Sequence, residues 1–204
     1  METKKEKRAR KKEALKKAKE HVSFYFDQGN YEACLRLCEQ QLLDSNDRTG
    51  YFMQFLAMSC MRRGNYFLAL EYFERLVNQK RRMYYNLVFI GDILYELGRY
   101  NQSHEAYSAF LQIDPNVPPV IEKCARCLFK MNRANQAFAC IEKAIKLDPT
   151  APEPLLTKAQ LLRLSGKSHE AYTLFVQIKR IFPQNRHASD QLFEIFMEQL
   201  GSVK

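Results

Sequence analysis

The sequence predicts an all-α fold made of repeated helix pairs. Only seven glycines and seven prolines occur among its 204 residues, whereas hairpin-rich folds use these residues freely in turns. A Gly-x-Tyr tripeptide begins at Gly29, Gly64 and Gly98, which gives a period of about 34 residues. A fixed period of this length is typical of repeat proteins whose unit is one pair of helices.

Proline provides a second marker of the same period. Pro115, Pro149 and Pro183 recur at that spacing in the second half of the chain. Between the markers, apolar residues follow helical spacing, as in the series within residues 53–60. Each unit is therefore predicted to be a helix, a tight turn and a second helix that ends before the proline.

The spacing and the residues at these markers resemble the tetratricopeptide repeat. In that family a unit of about 34 residues carries a small residue in the middle of helix A, Gly-x-Tyr at the turn, Ala and then an aromatic residue on helix B, and Pro at the end. The resemblance covers nearly the whole chain. It implies a right-handed superhelical solenoid in which helix A of each unit lines the concave surface.

A basic extension, residues 1–14, precedes the repeats. Residues 1–20 contain ten Lys or Arg and four Glu, so they hold six of the nine net positive charges of the chain. The cluster within this extension comprises Lys7, Arg8, Arg10, Lys11 and Lys12. We interpret it as a solvated helical lead-in, while nucleic-acid binding, attraction to an anionic membrane surface and nuclear import are the alternatives.

Five repeat units follow the extension. They span about 15–49, 50–83, 84–117, 118–151 and 152–185. In units two to five, small residues occupy the positions where the two helices approach: Ala57, Gly91, Ala125 and Ala159 on helix A, and Ala69, Ser103, Ala137 and Ala171 on helix B. Unit one has Val22 and Cys34 there, so we expect its first helix to pack loosely or to differ from a repeat helix. Unit four has Asn132 in place of the turn glycine.

Residues 186–204 are predicted to form a C-terminal capping helix and tail. The apolar residues of this segment fall at helical spacing: Leu192, Phe193, Ile195, Phe196 and Leu200. Because the open end of a repeat array exposes its core face, we expect the helix to cover unit five. Phe193 matches the small-residue position, so it should face inward with Leu192 and Phe196. Ile195 and Leu200 would then lie outside and allow self-association.

No arrangement of residues predicts catalysis. The four histidines lie in different parts of the chain and are expected at the surface. Cys124 and Cys127 form a Cys-x-x-Cys motif, but a structural zinc site needs four ligands, and a buried cysteine behaves as a small hydrophobic residue. We therefore expect no enzyme activity, no cofactor and no metal. The six cysteines are expected to be free thiols.

The concave surface is where the resemblance places a binding site. The outward positions of helix A in units two and three are predominantly apolar: Tyr51, Gln54, Phe55, Met58, Tyr85, Val88, Phe89 and Asp92. Charged residues follow towards one end of this groove: Arg62, Lys123 and Arg126. Such a groove suits a peptide or an amphipathic helix with apolar anchors and an acidic flank. Alternatively, Phe55 and Phe89 fill space between neighbouring helices.

We therefore expect a protein–protein interaction scaffold or adaptor that binds a segment of a partner protein. A secretion-type or holdase chaperone is the alternative within this class. An RNA- or membrane-surface-associated factor that acts through the basic extension is the alternative of another class. The longest apolar runs have five residues, and a membrane-spanning helix needs about 20. We expect the protein in the cytoplasm, or in the nucleus if the basic cluster directs import.

Overall fold

A computed structural model describes residues 3–44, 49–79 and 84–201. These ranges contain eleven α-helices and no β-strand. The helices are α1 (Lys4–Asp27), α2 (Tyr31–Asp44), α3 (Tyr51–Arg62), α4 (Tyr66–Asn78), α5 (Asn86–Glu96), α6 (Tyr100–Ile113), α7 (Pro118–Lys130), α8 (Ala134–Leu147), α9 (Pro152–Leu164), α10 (Ser168–Ile181) and α11 (Arg186–Gly201). The predicted all-α fold is confirmed.

The chain forms two compact units, residues 1–97 and 98–204, each of which contains more than one of the predicted repeats. These two are called the first unit and the second unit, and the predicted units of about 34 residues are called repeats. The first unit contains α1 to α5, and consecutive helices within it pack against each other. The second unit contains α6 to α11. The boundary falls at Gly98, inside the predicted repeat 84–117.

The turns within the helix pairs share one backbone geometry. In the turn after α3, the Gly64 amide donates to the carbonyl of Met61 at 3.0 Å. Gly64 has a positive φ of 77° there, and Asn132 adopts the same left-handed region with φ of 61° in the turn after α7. Asn is one of the few residues other than Gly that tolerate this conformation. Asn132 therefore supplies the turn geometry of the glycine that the repeat pattern predicts.

Helix α1 begins with a capping box and continues without interruption through the predicted boundary at residue 14. The Thr3 hydroxyl accepts a hydrogen bond from the Glu6 amide at 3.2 Å, and the Glu6 carboxylate accepts one from the Thr3 amide at 2.7 Å. This reciprocal pairing satisfies backbone donors at the start of the helix. Residues 4–14 are all exposed, whereas Ala18 and Val22 are buried.

The first helix pair packs closely despite its larger residues at the small positions. Val22 and Cys34 are both fully buried, and the Cys34 thiol donates to the Val22 carbonyl at 3.8 Å. They share an apolar cluster with Phe52 and Leu56 of α3. Of the two expectations for α1, loose packing is therefore wrong, because a valine and a cysteine together fill the space between α1 and α2.

Apolar clusters follow one another along the described helices of the second unit. One contains Ala125, Ala137 and Ile141, together with Leu161 of α9. The other joins α9 and α10 to α11 and includes Phe175. Helices α7 and α9 both start with Pro, whose missing amide hydrogen costs nothing in the first turn.

Helix α11 covers the fifth repeat, but with a face different from the one predicted. Ile195 is 2% exposed within the cluster of α9 and α10, whereas Phe193 is 65% exposed. The predicted inward position of Phe193 and outward position of Ile195 are therefore wrong. Leu192 is partly buried against the cluster, as predicted. The side chains of Phe196 and Leu200 lie outside the described residues.

The repeat period explains this exchange of faces. Ile195 occupies the same repeat position as Leu161, which packs against the apolar cluster of the preceding helix pair, α7 and α8. Phe193 occupies the same repeat position as Ala159, which shares a cluster with Ala171 on the second helix of its own pair. In the described part of the chain no helix follows α11, and the Phe193 ring is exposed.

Candidate functional site

Aromatic residues connect α1 to α3 in the first unit. The Tyr51 hydroxyl donates a hydrogen bond to the backbone carbonyl of Lys19 at 3.1 Å. The Lys19 ammonium nitrogen in turn lies 4.9 Å from the centre of the Tyr51 ring, within range of a cation–π interaction. Burial raises the pKa of the Tyr51 phenol. Tyr51 is thereby held in one orientation against the first helix.

Phe55 lies in the same contact region. Its ring meets Phe26 edge to face, with centroids 5.4 Å apart and an interplanar angle of 88°. It also lies 4.8 Å from the Tyr51 ring. Edge-to-face pairs stabilise a fold beyond the apolar area that they bury. Phe55 therefore packs between neighbouring helices while remaining partly exposed.

Together with the adjacent Phe24–Tyr25 ring pair, these contacts make up what we call the aromatic cluster. Its members are Phe24, Tyr25, Phe26, Tyr31, Tyr51, Phe52 and Phe55. Sequence reasoning identified only Tyr51 and Phe55 as site residues. It missed Phe24, which is 59% exposed and occupies the same repeat position as Ser59. The run of three aromatic residues from Phe24 was the signal that could have revealed it.

The other predicted aromatic anchors belong to a different contact. Phe89 of α5 stacks on the fully buried Phe73 of α4, with centroids 5.0 Å apart and an interplanar angle of 9°. Tyr85 stacks on Tyr84 at 4.2 Å and remains 54% exposed. Phe89 is partly buried by this packing, so Tyr85 presents the most accessible aromatic surface near the start of α5.

The remaining predicted groove residues of the first unit are accessible to different degrees. The partly buried ones are Gln54, Met58, Val88 and Asp92, and Arg62 at the end of α3 is exposed. The first unit thus combines two sets of partly exposed aromatic residues with neighbouring polar side chains.

The predicted basic residues Lys123 and Arg126 lie in the second unit. The Lys123 ammonium nitrogen is 5.9 Å from the centre of the Tyr107 ring, and Arg126 is exposed. On the adjacent position of α7, Glu122 accepts a hydrogen bond from the Thr157 hydroxyl at 2.6 Å. Further along, Arg163 pairs with Glu194 of α11 at 2.8 Å. The first helices of these pairs are therefore linked by polar contacts, in contrast to the aromatic contacts of the first unit.

Comparison with solved structures identifies the fold. A thermophilic TPR protein of Thermus thermophilus is 18% identical, with a TM-score of 0.71, over 89% of this chain and 98% of that chain. MamA 41-end from Desulfovibrio magneticus RS-1 is 13% identical, with a TM-score of 0.72, over 83% and 96% of the two chains. The chain has the fold of a tetratricopeptide repeat protein. YrrB, described as a TPR protein with an unusual peptide-binding site, is 11% identical, with a TM-score of 0.65, over 85% and 89%.

Sequence comparisons support the same repeat type. The family model described as Anaphase-promoting complex, cyclosome, subunit 3, which is of the tetratricopeptide type, matches residues 62–144, less than half of the chain. No curated protein sequence gives a significant match. The tetratricopeptide repeat resemblance inferred from Gly-x-Tyr and Pro spacing is therefore confirmed at the level of the fold.

The cysteines of this repeat protein lie mainly in its core. Cys124 and Cys127 are buried, and Cys127 shares a hydrogen bond with Ser103 of α6 at 3.2 Å. Burial raises the pKa of the Cys124 thiol to about 12. Cys34 and Cys38 are fully buried. Within the described residues, no three His, Cys, Asp or Glu side chains are grouped so as to hold a metal ion.

The basic cluster of α1 and three of the four histidines are exposed. All five residues of the basic cluster are exposed on α1: Lys7, Arg8, Arg10, Lys11 and Lys12. His21, His169 and His187 are exposed, but His104 is partly buried. Burial, and secondly the charge of Arg133, lower the pKa of His104. None of the helices in the described ranges is long and apolar enough to cross a membrane.

Proposed function

We propose that this tetratricopeptide repeat protein is a non-catalytic scaffold or adaptor. The proposed binding surface consists of the aromatic cluster of α1, α2 and α3 and, as a second contact, the exposed Tyr85 at the N-cap of α5. The observation that carries the proposal is a pair of accessible aromatic rings at the first helices of the first and third repeats: Phe24 on α1 and Tyr85 directly before α5 are both more than half exposed. Aromatic residues dominate the energy of protein interfaces, and exposed ones commonly mark such sites.

The chemistry of this surface favours one face of an amphipathic helix or an extended segment with apolar anchors. Met58 adds an adaptable apolar side chain, and Gln54 and Asp92 add polar groups beside the rings. The similarity of the fold to YrrB, described as having an unusual peptide-binding site, supports peptide binding as the mode of interaction.

Two alternatives make different predictions. A holdase or secretion-type chaperone would bind many unfolded chains through the same aromatic surface. A nucleic-acid- or membrane-associated factor would instead use the exposed basic helix of residues 4–14, and its binding would fall steeply with salt. Apolar binding to the aromatic cluster changes little with salt.

The experiment that tests the proposal compares two surface variants. Phe24→Ser/Tyr85→Ser removes exposed rings from the proposed surface and leaves the packed Phe55 and Phe89 in place. Phe67→Ser is the matched control, because Phe67 is 75% exposed but lies on α4, the second helix of its pair. Each variant and the wild type are immobilised, and retained proteins are identified by mass spectrometry at two salt concentrations.

We expect the wild type and Phe67→Ser to retain the same small set of partners, and Phe24→Ser/Tyr85→Ser to lose it. Titration calorimetry with the segment recovered from such a partner should then show a loss of about tenfold or more in affinity for the double variant. Unchanged partners in the double variant would exclude this surface. Retention of many unrelated unfolded chains would favour the chaperone alternative.

A further inference from the structure

The second unit contains an open cleft that the proposed function does not use. It lies between the first turn of α6 and the turn that joins α7 to α8, and its volume is about 630 Å³. Its lining includes Arg99, Lys130 and Arg133, with Tyr100 and Met131 as the apolar component. Among the residues that the structure describes, no acidic one lines the cleft. All of the lining residues belong to the second unit, whereas the aromatic cluster belongs to the first.

The three cations of the cleft lack acidic partners in the described part of the chain. Arg99, Lys130 and Arg133 are exposed, and none of them forms an ion pair with a residue in the described ranges. The charge of Arg133 reaches α6, where it contributes to the lowered pKa of His104. Three like charges around one cleft repel each other, so an anionic ligand would relieve this repulsion.

Local stability does not explain the two arginines. Arg99 and Arg133 occupy the N-cap positions of α6 and α8, and neither side chain forms a capping hydrogen bond within the described ranges. These positions favour Asn, Asp, Ser or Thr, and a cation there opposes the helix macrodipole. Lys167 takes the same position before α10, but it pairs with Glu170 at 3.5 Å. A residue that breaks a local rule without compensation points to a role outside folding.

We propose that this cleft binds an acidic segment of a protein partner that also carries an apolar side chain. The guanidinium groups of Arg99 and Arg133 would each form a bidentate pair with a carboxylate, and Lys130 would add a third positive charge. Tyr100 and Met131 would contact the apolar side chain. The cleft has room for several residues of a peptide, and its two apolar side chains, Tyr100 and Met131, favour a peptide over a small inorganic anion or a nucleic-acid backbone.

The test uses the full chain and two labelled synthetic peptides. In the first peptide, glutamates flank a central Leu-Phe pair, and in the second, glutamine replaces every glutamate. Affinity is measured by fluorescence anisotropy for the wild type and for Arg99→Glu/Arg133→Glu. Because glutamate near a helix N-terminus is favourable, this variant is expected to fold, which circular dichroism verifies. Arg36→Glu/Arg186→Glu is the matched control, since it changes the net charge equally at positions outside the cleft.

We expect the wild type and the control variant to bind the glutamate peptide with similar affinity. The glutamine peptide and the Arg99→Glu/Arg133→Glu variant should each weaken binding about tenfold. A third peptide with lysines in place of the glutamates should bind the charge-reversed variant better than it binds the wild type. Phe24→Ser/Tyr85→Ser should bind the glutamate peptide as the wild type does, so this site is tested separately from the aromatic surface.

Three results would overturn the proposal. The Arg99→Glu/Arg133→Glu variant could bind the glutamate peptide as tightly as the wild type does. The control variant could lose as much affinity, which would mean that net charge alone attracts the peptide. A single-stranded RNA oligonucleotide could bind more tightly than the peptide and depend on the same two arginines, which would assign the cleft to nucleic acid instead.

Discussion

Tyr51 and Lys19 interact in two ways: the Tyr51 hydroxyl donates to the Lys19 carbonyl at 3.1 Å, and the Lys19 ammonium nitrogen lies 4.9 Å from the Tyr51 ring. A backbone carbonyl inside a helix already accepts one hydrogen bond, and its second lone pair is free to accept another. The tyrosine thus connects α3 to the backbone of α1 rather than to a mobile side chain. This connection supports the part of α1 that carries the aromatic cluster.

Tyr51→Phe removes the hydroxyl and keeps the ring contacts with Phe55. We expect it to lower the free energy of unfolding by about 0.5 to 1.5 kcal/mol, the usual contribution of one hydrogen bond. Tyr172→Phe on α10 is the control, because Tyr172 is 41% exposed, and it should change stability by less than about 0.5 kcal/mol. Urea unfolding of both variants gives the comparison. Equal stability of Tyr51→Phe and wild type would show that the bond contributes nothing to the fold.

Deletion of residues 1–12 should leave the free energy of unfolding within about 0.5 kcal/mol of the wild-type value, because the described side chains of this segment are exposed. Val22→Ala in the same helix should cost about 1 to 3 kcal/mol, since Val22 is fully buried beside Cys34. Thermal unfolding followed by circular dichroism distinguishes the two. A large loss of stability on deletion would mean that the basic extension is packed.

Ile195→Glu and Phe193→Glu should have opposite effects. The first places a charge in the apolar cluster of α9 and α10 and should cost at least about 2 kcal/mol. The second replaces an exposed ring and should leave stability nearly unchanged while reducing any self-association through α11. Unfolding curves and light scattering at several concentrations measure the two effects. Destabilisation by Phe193→Glu alone would restore the face that the sequence predicted.

Asn132→Gly and Asn132→Ala test the turn between α7 and α8. Alanine at a positive φ is strained, so Asn132→Ala should cost about 1 kcal/mol, whereas glycine should be neutral or slightly stabilising. Asn135→Ala, at an exposed position within α8, controls for the loss of an amide. Differential scanning calorimetry reports the order of melting temperatures. Identical values for Gly and Ala at position 132 would argue against the left-handed turn.

Cys124 should resist alkylation in the folded protein. Burial raises its pKa to about 12, so its neutral thiol is favoured by folding. The stabilisation that comes from keeping the Cys124 thiol neutral is fully present below the pKa of an unfolded thiol, and it is lost as pH rises towards 12. At pH 8, iodoacetamide should therefore label the more accessible Cys140 first and Cys124 only after unfolding. Mass spectrometry of labelled peptides locates the modified thiols, and rapid labelling of Cys124 would contradict its burial.

The turns and helix pairs could be predicted because their requirements are local. Few residues other than glycine adopt the left-handed conformation found at Gly64 and Gly166, so glycine recurs at this turn and the repeat period can be recognised in the sequence. Small buried residues such as Ala57 and Ala171 likewise reflect a close approach that the repeat imposes at one position. Asn132 departs from the glycine pattern, but the turn is retained because asparagine adopts the same left-handed backbone conformation.

The orientation of the aromatic residues could not be predicted in the same way. Phe55 and Phe89 fit equally well on an open groove or between helices, and only the structure shows Phe26 and Phe73 beneath them. Ile195 was misplaced because its repeat position packs against the preceding helix pair, whereas the Phe193 position is buried only where a second helix packs on it. The basic cleft was missed because Arg99 and Arg133 belong to the turns of successive repeats, and only the fold brings those turns together.

The exposed first half of α1 has a kinetic consequence. Residues 4–14 of one continuous helix extend over about 16 Å at roughly 1.5 Å per residue, and every side chain along this rod is exposed. A dense positive charge on a rigid projection attracts oppositely charged molecules over about 8 to 10 Å at physiological ionic strength. A charge of this kind raises the rate at which an acidic molecule encounters the helix and has little influence on how long that molecule stays bound, so it acts on association kinetics rather than on residence time.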